Sequence, residues 1–239
     1  MTTEFILLLL GAYLLGSVPM AYLVARWSRG IDIRQYGSGN VGASNVLSFT
    51  SRWWSIPVSI FDIGKGMVPV YLAQLWSLPV SQQVIIGLAA ISGHNWPVFL
   101  RFNGGRGILT TLGVLLILTP WLTMAAAIFT LAWAPFRQLP LGALITLVLL
   151  PVFSWFLNVP FGIEKSIPLT LGFVAILLLA LTRRLTASRT PMTALVSPGE
   201  LLVNRLLFDR DIRDRLAWIN QTPCSAAEAP APKEKQGKS

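Results

Sequence analysis

The sequence predicts an all-α polytopic membrane protein of about seven transmembrane helices, N-terminus outside and C-terminus cytoplasmic. Three observations carry that reading. Of 239 residues, 54% are hydrophobic and only 12% charged, against roughly 25% charged in soluble domains. The apolar residues fall in runs long enough to cross about 30 Å of hydrocarbon. Arginines gather in the connections between some of those runs, as cytoplasmic loops require.

The first span covers about 4–25, with Ser17-Val18-Pro19 near its middle, where Pro19 predicts a kink. Its start lacks a basic stretch and a small-residue cleavage site, so it reads as a retained span rather than a signal peptide. Arg26, Arg29 and Arg34 follow, then a polar loop, then Arg52. The second span, about 53–75, contains Asp62 and Lys65; the third, about 83–100, carries His94 near its end. Residues 108–135 are apolar around Pro120. A single span there would put Arg137, Arg183, Arg184 and Arg189 outside, against the positive-inside rule. Two short helices meeting at Pro120 keep them inside, short enough to be tilted or partly re-entrant. Spans at about 139–157 and 167–182 complete the set, joined by an outer loop with Glu164 and Lys165.

Residues 1–190 thus form a membrane domain. Ser197-Pro198-Gly199-Glu200 has the pattern of a helix start and predicts a cytoplasmic helix over about 198–220 within a 191–220 segment. Leu201, Phe208, Ile212, Leu216 and Ile219 share one face of that helix, which suits the inner leaflet or the protein's own cytoplasmic face. Residues 221–239 are rich in Ala, Pro, Lys and Glu and are expected to be disordered.

Net charge is +9, and Arg supplies 14 of the 19 basic residues. In a membrane protein this reports loop topology and anionic lipid rather than nucleic acid. Cys224 is the one cysteine and His94 the one histidine, so no disulfide framework, metal site or cofactor is expected. No oligomeric state follows from the sequence.

The chemistry concentrates in two loops. Gly37-Ser38-Gly39-Asn40-Val41-Gly42-Ala43-Ser44-Asn45 cannot form an apolar span. Its glycines permit left-handed backbone, its amides can form an anion-binding nest, and its Ser and Asn side chains add neutral donors. The Gly37-x4-Gly42 spacing is P-loop-like, but Ala43 stands where a phosphate-binding Lys belongs and no strand precedes it, which excludes a nucleotide triphosphatase. The second loop, Arg101-Phe102-Asn103-Gly104-Gly105-Arg106-Gly107, offers backbone amides and a guanidinium, both suited to phosphate. Asp62 and Lys65 can pair on one helical face, as a brace or as substrate contacts, since charges inside a membrane are candidate functional groups. His94 is either a loop anchor or a general base; no carboxylate lies near it in sequence, and Phe99 excludes a His-x4-Asp acyltransferase motif. Trp53, Trp54, Trp96, Trp121 and Trp133 lie near span ends, as interfacial anchors do.

Together these residues resemble the bacterial acyl-phosphate:glycerol-3-phosphate acyltransferase family, PlsY. The resemblance covers about 11–113: Leu15-Gly16-Ser17-x-Pro19, Ile33-Arg34 leading into the first loop, Asp62-x-x-Lys65-Gly66, Gly93-His94-x-x-Pro97-Val98-Phe99 and Phe102-x-Gly104-Gly105-Arg106-Gly107. It implies an enzyme of a bacterial plasma (inner) membrane, acting in phospholipid biosynthesis with its site facing the cytoplasm. Glycerol 3-phosphate would attack acyl phosphate through its sn-1 hydroxyl, giving lysophosphatidic acid and phosphate. The family lacks an obvious protein base, which fits the few acids and histidines. On this reading Ser38, Asn40, Arg106 and His94 are catalytic candidates. Gly37, Gly39, Gly42, Ser44, Asn45, Asp62, Lys65, Gly104, Gly105, Arg183 and Arg184 are substrate-binding candidates. The chain departs from the family pattern at Ser48, where Arg is usual, at Asn103 and Arg106, where Lys is usual, around Pro140, where a Ser is usual, and in the third motif. Thr182-Arg183-Arg184 through Ser188-Arg189 takes that motif's place, without its His and Asn. The alternatives are a divergent or inactive paralogue with another acceptor, and a transporter of phosphorylated metabolites.

Overall fold

The computed structural model describes residues 2–156, 167–188 and 191–219. Among them the secondary structure is helical, without strands. Thr2 caps α1 (Thr3–Ser17) by accepting from the Phe5 amide at 3.4 Å. The helix stops at Val18-Pro19 and resumes as α2 (Met20–Arg29), so the expected kink is a full break. Pro19 has no N–H to continue the ladder. Gly30, at φ 69°, ends α2. A short α3 (Ala43–Phe49) follows the first loop, and Ser51 caps α4 (Arg52–Leu75). Next come α5 (Val80–Asn95), a single 3-10 turn at Val98–Leu100, and the second Gly-rich loop.

Pro120 divides the next apolar stretch into α6 (Ile108–Leu118) and α7 (Pro120–Leu131), at the break expected. At 1.5 Å per residue each is about 16–18 Å long, well short of the hydrocarbon thickness. Then α8 (Leu139–Phe156) and α9 (Ile167–Leu185) run long again. Five helical segments, Thr3–Arg29, Arg52–Leu75, Val80–Leu100, Leu139–Phe156 and Ile167–Leu185, are long and apolar enough to cross a membrane. The expected seven spans are therefore five long segments and two short apolar helices. The expected loop 158–166 and tail 221–239 lie outside the described residues.

The predicted helix over 198–220 is instead two. Ser197 caps α10 (Pro198–Phe208), as expected, but Asp209 adopts a left-handed conformation (φ 54°) and the chain turns before α11 (Arg215–Ile219). The turn is fastened by Arg205, which pairs with Asp211 at 2.7 Å, and by Asn204, which donates to the Asp211 carbonyl. The apolar face predicted for Leu201 through Ile219 is therefore not one continuous stripe.

Helices approach closely where a glycine removes a side chain. A Cβ on Gly66 of α4 would overlap the Thr110 backbone of α6, and one on Gly113 of α6 would overlap Ile63 of α4. Gly16 and Gly93 do the same between α1 and α5. Apolar clusters fill the interior between them, one including Val70, Val84, Val114 and Phe173. Hydroxyl pairs join later helices, Thr130 to Thr146 at 2.7 Å and Ser154 to Thr170 at 3.0 Å. Large apolar side chains such as Ile60, Trp121 and Ile128 face outward, where lipid can cover them.

Gly66→Val and Gly113→Val are expected to lower stability by about 1–3 kcal/mol through overpacking, read as a fall in Tm in detergent. Gly64, with open space where its Cβ would lie, should accept Ala with little change; a large loss there would contradict this packing.

Candidate active site

The break in the first span opens one wall of a cleft of about 190 Å³, its mouth included. Ser17, Val18, Pro19 and Met20 form that wall; Val41 of the first loop, Asp62 and Lys65 of α4, His94 and Pro97, and Gly104 and Gly105 of the second loop complete it. Five chain segments thus meet at one place, including both Gly-rich loops.

The charged centre is buried. Lys65 Nζ lies 2.8 Å from Asp62 Oδ1, with the two side chains only 2% and 3% exposed. Lys65 also donates to the Val18 carbonyl at 3.3 Å. That carbonyl sits at the helix break, where helical pairing is lost. His94 Nδ1 stands 3.6 Å from the same Asp62 oxygen. The carboxylate that sequence spacing did not supply to His94 arrives by folding. An ammonium has three N–H bonds; Asp62 and Val18 take two, leaving one for the cleft.

Loop two is shaped around this centre. The Gly105 amide donates to the His94 carbonyl at 3.0 Å. A Cβ on Gly105 would overlap the His94 ring, and one on Gly104 would overlap the His94 carbonyl. Arg101 and Phe102 enter the loop with left-handed backbone, φ 52° and 62°, a conformation that costs energy at non-glycine residues and collects at functional sites.

Loop one is held open by its own polar groups. Gly37 and Gly39 adopt φ 54° and 65°. The buried Asn45 side chain donates to the Ile33 and Tyr36 carbonyls at 3.1 and 3.0 Å, so it shapes the loop rather than facing a ligand. Ser44 is exposed on α3. Ser38, Gly39 and Asn40 are half-buried, and the Ser38 hydroxyl accepts from the Asn40 amide at 3.4 Å. Asn40 Oδ1 is buried with no hydrogen-bond partner among the described residues. Asp32 precedes the loop, and Arg34 donates to its carboxylate at 2.6 Å. Those hydrogen bonds from Arg34 hold the Asp32 carboxyl below its ordinary value.

Arg183 and Arg184, both buried, are committed to backbone carbonyls. Arg183 donates from Nε to Gly105 O at 2.9 Å and from Nη2 to Gly104 O at 2.8 Å. Arg184 donates to the Pro140 carbonyl at 2.6 Å and to the Leu206 carbonyl. Asn103 accepts from Ser188 at 3.1 Å. The segment standing in for the third motif therefore braces loop two. Arg106 pairs through Nε with Asp209 at 2.6 Å. Among the described residues no cluster of three His, Cys, Asp or Glu could hold a metal.

Residues 6–190 match the family model described as glycerol-3-phosphate acyltransferase. A relative from Dehalococcoides mccartyi, glycerol-3-phosphate acyltransferase 5, is 45% identical over 96% of this chain and 99% of its own length. The chain belongs to the glycerol-3-phosphate acyltransferase family. A relative of that name from Laribacter hongkongensis is 43% identical over 62% of this chain and 76% of its own. Among solved structures, the glycerol 3-phosphate form of PlsY, an integral membrane glycerol 3-phosphate acyltransferase, is similar with a TM-score of 0.67 at 28% identity, covering 80% of this chain and 98% of its own. Its lysophosphatidic acid form gives a TM-score of 0.68 at 27% identity, covering 91% and 99%. The family-model match stops short of α10 and α11.

Two contributors to this corner escaped sequence reasoning. The helix break was read as a kink, although Ser17-Val18-Pro19 in mid-span was its signal. Asp209 carried no signal, because its partner lies in a distant loop.

Asp62→Ala strands the Lys65 charge and is expected to cost about 3–5 kcal/mol. Asp62→Leu with Lys65→Met should recover most of the lost Tm, though not activity; a double variant no more stable than Asp62→Ala would refute the pairing. Asp32 has a depressed folded-state pKa, so its stabilisation is present above the unfolded value near 3.9 and fades as pH falls through the folded one. Asp32→Asn should therefore lower Tm at pH 7 by an amount worth no more than about 1 kcal/mol, and match the wild type once the carboxyl is protonated.

Proposed function

We propose that the protein transfers an acyl group from acyl phosphate to the sn-1 hydroxyl of glycerol 3-phosphate, forming lysophosphatidic acid and inorganic phosphate. The observation that carries this reading is the convergence of both Gly-rich loops on one cleft with the Asp62–Lys65–His94 centre. The solved relatives, in a glycerol 3-phosphate form and a lysophosphatidic acid form, name an acceptor and a product of the same chemistry.

The backbone amides of Ser38, Gly39, Asn40 and Gly42 and the side chains of Ser38 and Asn40 receive the phosphoryl group of the donor, and the Arg106 guanidinium adds charge for phosphate. The free N–H of Lys65 and the loop amides face the carbonyl oxygen as negative charge develops on it. The hydroxyl oxygen bonds to the carbonyl carbon, and the carbon–oxygen bond to phosphate breaks with its electron pair leaving on phosphate. Phosphate takes the hydroxyl proton, so no protein base is needed. His94, held between Asp62 and loop two, orients the site. Catalysis rests on positioning and electrostatics. Arg26, Arg29, Arg34, Arg52 and Arg101 flank the same loops, which favours a cytoplasmic site in a bacterial plasma membrane.

Purified protein should release phosphate from palmitoyl phosphate only with glycerol 3-phosphate present, and form lysophosphatidic acid. Release without acceptor dependence would move the acceptor elsewhere, and no release from folded protein would overturn the reading. Asn40→Ala is expected to reduce kcat by about 10²-fold. Arg106→Lys should keep part of the activity and Arg106→Ala very little; full activity in the Ala variant would remove Arg106 from the site.

A further inference from the structure

We infer that Asp209, in the turn between α10 and α11, is a positioning residue that aims Arg106 at substrate phosphate, so that the C-terminal segment completes the phosphate site. The inference rests on the acyltransferase reading of Arg106 and deepens it.

Four arginines gather at this end of the bundle, and three are already spent. Arg183 holds the carbonyls of loop two, Arg184 holds those of Pro140 and Leu206, and Arg205 holds those of Leu185, Ala187 and Ser188. Arg106 differs. Its side chain is 12% exposed, and its contact is the Asp209 carboxylate alone, whereas Arg205 holds Asp211 and three carbonyls as well. The short contact to Asp209 is at Nε, by charge rather than by a well-aligned hydrogen bond. Neither Nη group donates a hydrogen bond among the described residues. A guanidinium gripped at its inner nitrogen keeps its outer pair available, and that pair binds phosphate oxygens bidentately.

Asp209 is itself firmly placed. Its left-handed backbone, φ 54° and ψ 41°, ends α10. Arg205 fastens the turn to the end of α9 and to Asp211. Arg183 and Arg184 both lie within electrostatic reach of Asp209 and Arg106. The carboxylate therefore also offsets part of the mutual repulsion between the Arg106 guanidinium and those of Arg183 and Arg184. This segment lies past the part of the chain that matches the family model, beside the altered third motif.

Asp209→Asn tests the charge alone, because Asn tolerates the left-handed backbone. In full-length protein it should raise KM for the phosphate substrate that Arg106 holds by about tenfold, a loss expected of one charge-assisted contact. kcat and Tm should stay near the wild-type values. The KM for glycerol 3-phosphate and that for palmitoyl phosphate, measured separately, identify which phosphate it is. Adding Asp209→Asn to Arg106→Ala should change neither KM further, and Asp209→Glu should restore part of the affinity. Unchanged KM values for Asp209→Asn would overturn the inference. Lowered ones would also overturn it, making the carboxylate a competitor of substrate. Calorimetric binding of glycerol 3-phosphate separates failures. Wild type that binds it but forms no product sinks the acyltransferase reading, and Asp209 is then judged by whether Asp209→Asn weakens binding. Wild type that binds neither phosphate compound sinks both.

Discussion

The buried Asp62–Lys65 pair is the interaction on which the rest of this structure depends. Two opposite charges, each almost fully removed from solvent, are tolerable only together. Each also needs further polar contacts, and these are supplied by other elements. Lys65 takes the carbonyl freed at the break between α1 and α2; Asp62 faces His94 on α5. One pair on α4 thus fixes the positions of the first span and of α5. It does so at the depth where the Gly-rich loops close. The glycines of α4 and α6 serve the same end, because close approach of the backbones narrows the space beside the charges.

The arginines divide into two kinds of work. Arg184 and Arg205 reach carbonyls in the last turns of α10 and α9, where the final four lack helical partners, and Arg183 satisfies those of loop two. A guanidinium has five N–H bonds in a planar fork, so one side chain serves several carbonyls. Arg205 and Arg106 also pair with carboxylates, Asp211 and Asp209, and Arg106 alone of the four holds no backbone carbonyl among the described residues. The positive charge that sets topology is, at this end of the bundle, largely the cement of the fold. This changes how the departures from the family pattern read. The segment replacing the third motif does not present Arg183 and Arg184 to solvent; it grips the second loop from behind.

The features legible in the sequence are local. Runs of apolar residues defined the spans. Proline marked the break at Pro120 and a kink at Pro19 that folding made a break, and Ser197 marked the start of α10. Glycine-rich stretches located both loops. Each of these signals acts within one or two helical turns, because a missing N–H, a capping hydroxyl or a left-handed backbone affects only its neighbours. Which distant groups meet is settled by the packing of the helices. His94 received the carboxylate of Asp62, Asn45 turned inward to hold its own loop, Arg183 closed on loop two, and the C-terminal helix broke at Asp209 where Asp211 pairs with Arg205. Those outcomes depend on how helices pack through Gly16, Gly66, Gly93 and Gly113. No local pattern encodes that packing, since an exposed charge and a paired buried one are written with the same letter.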